Sequence, residues 1–157
     1  MMSERYENES LEHLINRRLR YAQQHLAGTL TAMLDLKLIE CNEAENTFVY
    51  IGKTAPWMIN FHGTLHGGMG ATLVDQAMGH TAFCLKQGPG ITPTIDMTVK
   101  YHRPLMAEED VLMKVHLVSR TKTLMYISCE AYRSSMPDKI CVSATATYFY
   151  KPDGKHL

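Results

Sequence analysis

The sequence has no surplus of charge, because 16 lysine and arginine residues are balanced by 16 aspartate and glutamate residues. A neutral chain lacks the overall attraction to phosphates on which proteins that bind nucleic acids or anionic membranes commonly depend. It also lacks an apolar run of about 18 residues, the length that a membrane-spanning helix needs. We therefore expect neither nucleic acid nor a membrane among its partners.

Paired cysteines are absent as well. The four cysteines lie far apart, without a C-x-x-C pair, at Cys41, Cys84, Cys129 and Cys141. This spacing favours free thiols in a reducing compartment over disulfides or a metal site. The first ten residues, MMSERYENES, also lack the apolar segment of a secretory signal. We expect a cytoplasmic protein.

What remains is an ordinary globular composition, with 45% hydrophobic and 20% charged residues. Apolar residues at helical spacing over 9–27 predict an amphipathic helix. Two short strands are predicted over 35–41 and 46–51, with a polar turn between them. We expect residues 1–157 to form a single domain, and its ends, 1–8 and 151–157, to be frayed.

The second half of the chain predicts a long helix followed by strands. Residues 68–85 are apolar on almost all sides, as is typical of a buried helix. Residues 94–101 alternate as a strand that places Thr94 on the same face as Asp96, and three more strands are predicted over 110–119, 123–132 and 140–150. Because the connections are short, we expect neighbouring strands to pair antiparallel. The fold class is α+β, a long central helix covered by one curved antiparallel sheet, with an N-terminal helix.

One acidic residue interrupts the apolar helix. Asp75 is the only formally charged residue between Lys53 and Lys86. A buried carboxylate without partners is costly, so Asp75 must have polar neighbours. It either makes structural hydrogen bonds or serves as a catalytic group that activates water or attacks a carbonyl carbon.

The residues around Asp75 resemble a known signature. The stretch NFHGTLHGG, from Asn60 to Gly68, is followed by Asp75 eight residues after Gly67. This spacing, with the later residues TIDM and Y-x-x-P, resembles the hotdog-fold acyl-CoA thioesterases, and within them the phenylacetate-pathway and THEM-like branch. The resemblance covers residues 30–150 in element order.

The resemblance implies several properties. The family hydrolyses acyl-CoA thioesters without a further cofactor, since coenzyme A is part of the substrate. Its members are homodimers, often dimers of dimers, with active sites at the dimer interface. Some relatives have glycine where this sequence has Glu109 and Thr121, which concerns the shape of the loops that would dock coenzyme A.

Helix geometry agrees with a site shared by two chains. The first amides of the predicted helix, at Gly67 and Gly68, have no partners within the helix, so either could donate to a thioester carbonyl. The alternative is that these glycines only permit a tight turn. Asp75 lies about 12 Å further along the same helix, too far to reach that carbonyl. Two antiparallel helices related by a two-fold axis would bring Asp75 of one chain to Gly67 of the other.

Further candidates have both a catalytic and a structural interpretation. Thr94 stands where relatives have Ser or Thr, and its hydroxyl is expected to hold the water or the carboxylate, or to be an ordinary strand residue. Asn60 is expected to orient the substrate or to bond loop amides. His66 is expected to hold Asn60, contact the thioester or donate a proton, or to play a structural part. His62 and His66 have no third ligand nearby, so no metal site is predicted.

Substrate contacts are expected from two kinds of residue. Gly68, Met69 and Met58 lie near the predicted site, and flexible methionines suit an acyl pocket, although they also fill cores. Arg103, Arg120 and Lys122 fall near strand ends, where they either meet coenzyme A phosphates or stay solvated.

The sequence therefore predicts acyl-CoA hydrolysis, with the carbonyl polarised by Gly67 and attacked with the help of Asp75 from the partner. Two alternatives remain open: hydration or dehydration of an acyl thioester on the same fold, and a non-catalytic acyl-CoA-binding module.

Overall fold

The computed structural model describes residues 9–86 and 90–150. The ends predicted to be frayed, 1–8 and 151–157, lie outside the described residues. The helices are α1 (Leu11–His25), α2 (Leu30–Met33) and α3 (Gly67–Leu85), with a 3₁₀ turn at Pro56–Met58. The strands are β1 (Lys37–Asn42), β2 (Thr47–Gly52), β3 (Thr94–Tyr101), β4 (Val111–Arg120), β5 (Leu124–Arg133) and β6 (Met136–Phe149).

The six strands form one antiparallel sheet in the order β1-β2-β4-β5-β6-β3. Helix α3 lies against this sheet and contacts β2, β3, β4, β5 and β6. Ser10 caps the start of helix α1, and its side chain accepts a hydrogen bond from the His13 amide. Helix α1 packs on α3 and β1. The predicted fold class is therefore confirmed. No helix in the described ranges is long and apolar enough to cross a membrane.

One strand pairing differs from the prediction. Sequence neighbours pair in β1–β2, β4–β5 and β5–β6, but β3 pairs with β6 and β4 pairs with β2. The connection between β3 and β4 crosses the sheet under the start of α3, where the Leu105 carbonyl accepts from the Leu65 amide at 2.8 Å. Leu105 is buried there. This short connection is therefore a crossover between two strands that are not neighbours in the sheet, and not a hairpin.

The predicted burial of α3 on all sides is correct for one face only. The face towards the sheet is fully buried, with Leu73, Val74, Ala77 and Met78 at 0% exposure. The side that includes Asp75, which lies towards the β3 edge of the sheet, is only half-buried.

The predicted alternation of β3 also breaks at its first residues. Thr94 pairs with Tyr148 and Asp96 pairs with Thr147, with a register shift between them. This bulge turns Thr94 to the inner face, with buried Tyr148, and leaves Asp96 on the outer face, because a bulge re-aims the side chain beside it.

Candidate active site

The start of α3 leaves one backbone amide free. His66 is the N-cap residue, and its Nδ1 accepts a hydrogen bond from the Gly68 amide at 3.1 Å. Its carbonyl accepts from the amides of Met69 at 2.8 Å and Gly70 at 3.1 Å. Within residues 9–86 and 90–150, no atom accepts from the Gly67 amide. Gly67, and not Gly68, therefore carries the donor available to a ligand.

His66 has a defined part in this turn. An Nδ1 that accepts a hydrogen bond carries no proton, so the neutral ring holds its proton on Nε2. The described residues include no hydrogen bond between His66 and Asn60. His66 orders the first turn of α3 and leaves its Nε2–H for another acceptor.

The side chain of Asn60 makes hydrogen bonds within the loop before α3. Its Oδ1 accepts from the amides of His62 at 2.8 Å and Thr64 at 3.3 Å, and its Nδ2 donates to the Thr64 hydroxyl at 2.9 Å. Gly63 has a φ of +77°, which favours glycine. Of the two interpretations of Asn60, the structure shows bonding of the loop amides.

Next to this loop is a pocket of about 320 Å³, which we call the amide pocket. Its polar lining includes Asn60, Thr64, His66, Gly67 and Arg103, and its other lining residues are Leu65, Gly70, Tyr101, Pro104, Leu105 and Val142. The Tyr101 hydroxyl donates to the Gly67 carbonyl at 2.9 Å, which holds the Gly67–Gly68 peptide from the β3 side. A small molecule in the pocket would meet amide and cationic donors beside an apolar wall.

Asp75 lies in a second group, which we call the carboxylate cluster: Asp75, Thr94 and Tyr148. One carboxylate oxygen, Oδ1, accepts from the Tyr148 hydroxyl at 3.0 Å and from the Thr94 hydroxyl at 3.2 Å. The other oxygen, Oδ2, has no hydrogen bond to any described residue. Burial, and secondarily the charge of Asp75, raises the pKa of Tyr148 well above its usual value, so the hydroxyl keeps its proton and donates.

The two groups do not meet within one chain. Asp75 is not among the residues that line the amide pocket, and eight residues of helix separate it from Gly67 by about 12 Å. The structure thus brings Asn60, His66, Gly67 and Arg103 together, and brings Asp75 and Thr94 together elsewhere.

The remaining predicted residues are dispersed. Met58 is buried in the core with 1% exposure, Met69 packs against the core, and Gly68 is exposed. Arg103 also donates to the Ile140 carbonyl at 2.8 Å. Arg120 and Lys122 are exposed near the β4–β5 turn, at the end of the sheet opposite Arg103. The described ranges contain no group of three or more His, Cys, Asp or Glu residues that could hold a metal ion.

Sequence reasoning missed both tyrosines that touch the site. Alternation in β3 placed Tyr101 on an apolar face, but gave no sign that its hydroxyl reaches Gly67. Tyr148 follows a run of alternating Ala and Thr in β6, which indicates a strand and nothing more. Its contact with Asp75 depends on α3 lying against β6. Its place beside Thr94 depends on the pairing of β3 with β6, which the sequence did not predict.

Comparison with protein families gives one match across the site. A family model described as "Thioesterase superfamily" matches residues 62–140, which is half of the chain. The match includes Gly67, Asp75 and Thr94, but ends before Tyr148.

Individual relatives agree with this match. Acyl-coenzyme A thioesterase 13 of Homo sapiens is 38% identical over 72 residues, which are 45% of this chain and 50% of that protein. The chain thus spans about half the length of the curated relatives it matches.

Solved structures show a similar fold. The structure of thioesterase superfamily member 2 from Mus musculus has a TM-score of 0.69 and 19% identity, and covers 90% of this chain and 98% of its own. The PaaI protein of Escherichia coli, from the phenylacetic acid degradation operon, has a TM-score of 0.71 and 18% identity, and covers 89% and 95%.

Proposed function

The chain belongs to the thioesterase superfamily, and from this premise we propose that it hydrolyses an acyl-CoA thioester to a free acid and coenzyme A. The observation that carries the proposal is that α3 holds two candidate catalytic groups at different points along its length: a free backbone amide at Gly67 and a hydrogen-bonded carboxylate at Asp75. The name of the human relative, an acyl-coenzyme A thioesterase, supports this choice of substrate.

The Gly67 amide serves the electrophilic half of the reaction. A thioester carbonyl placed at the amide pocket accepts its hydrogen bond at the positive end of the α3 dipole. Negative charge develops on that oxygen when a nucleophile adds to the carbonyl carbon, and the hydrogen bond then strengthens. Because the amide has no competing acceptor among the described residues, no bond must break first.

Asp75 serves the nucleophilic half. Its free Oδ2 takes a proton from water, and the water oxygen forms a bond to the carbonyl carbon. The tetrahedral intermediate then expels the sulfur, which receives the proton from Asp75 as the C–S bond breaks. Direct attack by Oδ2 followed by hydrolysis of the anhydride gives the same acid and thiol.

A homodimer joins the two halves. The half-exposed side of α3 carries Asp75 and the exposed Gly68, whose lack of a side chain allows a second helix to approach closely. Strand β3 is an edge of the sheet and exposes Ile95 at 57% and Tyr101 at 56%, and long apolar edges are usually paired or covered. With two antiparallel α3 helices, Asp75 of each chain faces Gly67 of its partner. Association into a dimer of dimers, and a cytoplasmic location, stay predictions.

Arg103 is our first choice for a coenzyme A phosphate, because it lines the amide pocket. Arg120 and Lys122 lie at the Asp75 end of the sheet, and in an antiparallel pair of helices that end meets the partner's amide pocket. Both groups of cations can therefore approach one bound coenzyme A. The acyl group must be found by a panel of short, medium, long and aromatic acyl-CoAs.

Release of free thiol from that panel tests the proposal, with Asp75→Asn beside the wild type. Asparagine still accepts the hydroxyl bonds of Thr94 and Tyr148 but removes the base, so kcat should fall about 10²–10⁴-fold with the fold retained. Asp138→Asn, on an exposed part of β6, is the matched control and should keep wild-type activity.

Two outcomes would replace the proposal. A change in enoyl absorbance without thiol release would identify a hydratase or dehydratase. Saturable acyl-CoA binding without any turnover would identify a binding module.

A further inference from the structure

We infer that Tyr148 is a positioning residue for Asp75: together with Thr94 it fastens Oδ1 of the carboxylate, so that Oδ2 is the oxygen presented to the water or the thioester carbon. This inference rests on the proposed function for the chemistry at Oδ2, but the fastening itself is a property of the chain alone.

The geometry at Oδ1 carries the inference. The Tyr148 hydroxyl lies 3.0 Å and the Thr94 hydroxyl 3.2 Å from this single oxygen. A carboxylate held by one donor can still rotate about its Cβ–Cγ bond. Two donors that arrive from different strands remove that freedom, and they leave the second oxygen without a partner in the described chain.

The two donors converge because of the sheet. Thr94 on β3 and Tyr148 on β6 are directly paired, and paired residues point to the same face with side chains about 5 Å apart. The bulge after Thr94 is required, since regular alternation would turn Thr94 to the outer face with Asp96. Bulges commonly re-aim a side chain beside an active site.

Helix α3 makes room for the tyrosine ring. Tyr148 is fully buried, and a Cβ added at Gly79 would lie 3.4 Å from its Cε1 and 3.7 Å from its hydroxyl oxygen. Glycine inside a helix is destabilising relative to alanine, and here it lets the ring lie directly on the helix backbone. The hydroxyl accordingly sits within 3.3 Å of the Asp75 carbonyl as well.

Tyr50 shows what a merely structural tyrosine looks like in this fold. It too is fully buried, and its hydroxyl meets the Thr81 hydroxyl on α3 at 2.7 Å. That pair contains no carboxylate and lies away from the half-exposed face of α3. Tyr50→Phe therefore removes a comparable buried hydroxyl from the same helix contact, and is a matched control.

The test compares Tyr148→Phe with Tyr50→Phe in the full chain. For Tyr148→Phe we expect kcat to fall about 10-fold with little change in KM, because one hydrogen bond to a charged group is lost. The acidic limb of the kcat/KM profile should move to higher pH, since the charged carboxylate loses a donor. Tyr50→Phe should lower the thermal midpoint but leave kcat and the acidic limb unchanged.

A second measurement separates this inference from the proposed function. Carbon NMR of the Asp75 side-chain carboxyl, without substrate, follows its titration in the wild type and in Tyr148→Phe. A move to higher pH in the variant supports the fastening, even in a preparation that hydrolyses no acyl-CoA and so overturns the proposed function. An active wild type whose Tyr148→Phe variant keeps its kcat, acidic limb and carboxyl titration overturns the inference and leaves the function standing.

A variant that keeps the ring and its hydroxyl covers the case in which Tyr148→Phe does not fold. Insertion of 3-fluorotyrosine at position 148 alone makes the hydroxyl a stronger donor. The acidic limb and the carboxyl titration should then move to lower pH, and unchanged values for both would contradict the inference.

Discussion

The amide pocket and the carboxylate cluster are built in opposite ways from one helix. The amide pocket takes its key atoms from one short segment, since Asn60, His66 and Gly67 lie within eight residues. The side chains of Asn60 and His66 accept hydrogen bonds from backbone amides only two residues further along the chain. In the carboxylate cluster, Asp75 is bonded to residues 19 and 73 positions away in the chain. A donor can be presented by local backbone geometry, whereas a carboxylate on a half-buried helix face needs partners from the sheet.

The two groups also differ in what they lack. The amide pocket has a free donor but no carboxylate in its lining. The carboxylate cluster has a free oxygen, Oδ2, and its donors among the described residues are the side-chain hydroxyls of Thr94 and Tyr148, both used by Oδ1. Each supplies the chemistry absent from the other, which is the physical reason to expect two chains in one site.

At the amide pocket, the largest effect should come from Gly67→Pro, which deletes the free amide itself. Proline suits the first helical position, and His66 already has φ −60° and ψ 135°, as a residue before proline prefers. The lost N–H has no acceptor among the described residues, so stability should change little. Without the donor for the oxyanion, kcat should fall about 10²–10³-fold in the thiol-release assay.

Gly67→Ala is the matched control because it adds a side chain but keeps the amide. Its Cβ would lie 3.5 Å from the Tyr101 ring, an ordinary contact, so we expect activity within a few-fold of wild type. Equal losses for alanine and proline would mean that space, and not the N–H, matters at this position.

Mixed dimers test whether the two groups meet across chains. A dimer of one Asp75→Asn chain and one Gly67→Pro chain, isolated with two affinity tags, keeps one site with both native groups if sites are shared. It should recover about half of the wild-type rate, although each parent dimer is nearly inactive.

The reciprocal dimer gives the opposite result. One wild-type chain paired with a chain that carries both substitutions has no intact shared site, and should be nearly inactive. About half of the wild-type rate from this dimer would show that each chain works alone. That result would contradict the proposal that the amide pocket of one chain acts with the carboxylate cluster of the other.

The contrast in construction explains what the sequence revealed. Gly67 and the start of α3 were predictable because the residues that define a helix terminus are adjacent in the sequence. Asp75 was predictable because it is the only charged residue within an apolar segment. The two long helices and the six strands followed from periodicity, with errors of a few residues at their ends, whereas the short helix α2 and the start of β6 at Met136 were not predicted.

The carboxylate cluster was only partly predictable because it depends on pairing. The short connection after β3 suggested pairing with β4, whereas β3 lies beside β6. Without that register, Tyr148 has no visible relation to Thr94, and the bulge that turns Thr94 inwards has no signature in the residues TID. Thr94 was identified only by its resemblance to Ser and Thr in relatives.

Thr94→Val should give the smallest effect, and it sharpens the account of the carboxylate cluster. Valine keeps the branched shape of threonine but removes one of the two donors to Oδ1, so with Tyr148 still in place kcat should fall about 3- to 10-fold. Thr94→Ser restores a hydroxyl and should restore most of the rate, whereas Thr98→Val, exposed on the same strand, should change nothing. A loss with valine that serine does not repair would indicate packing, because the hydroxyl is the only group that Thr94 offers to the carboxylate.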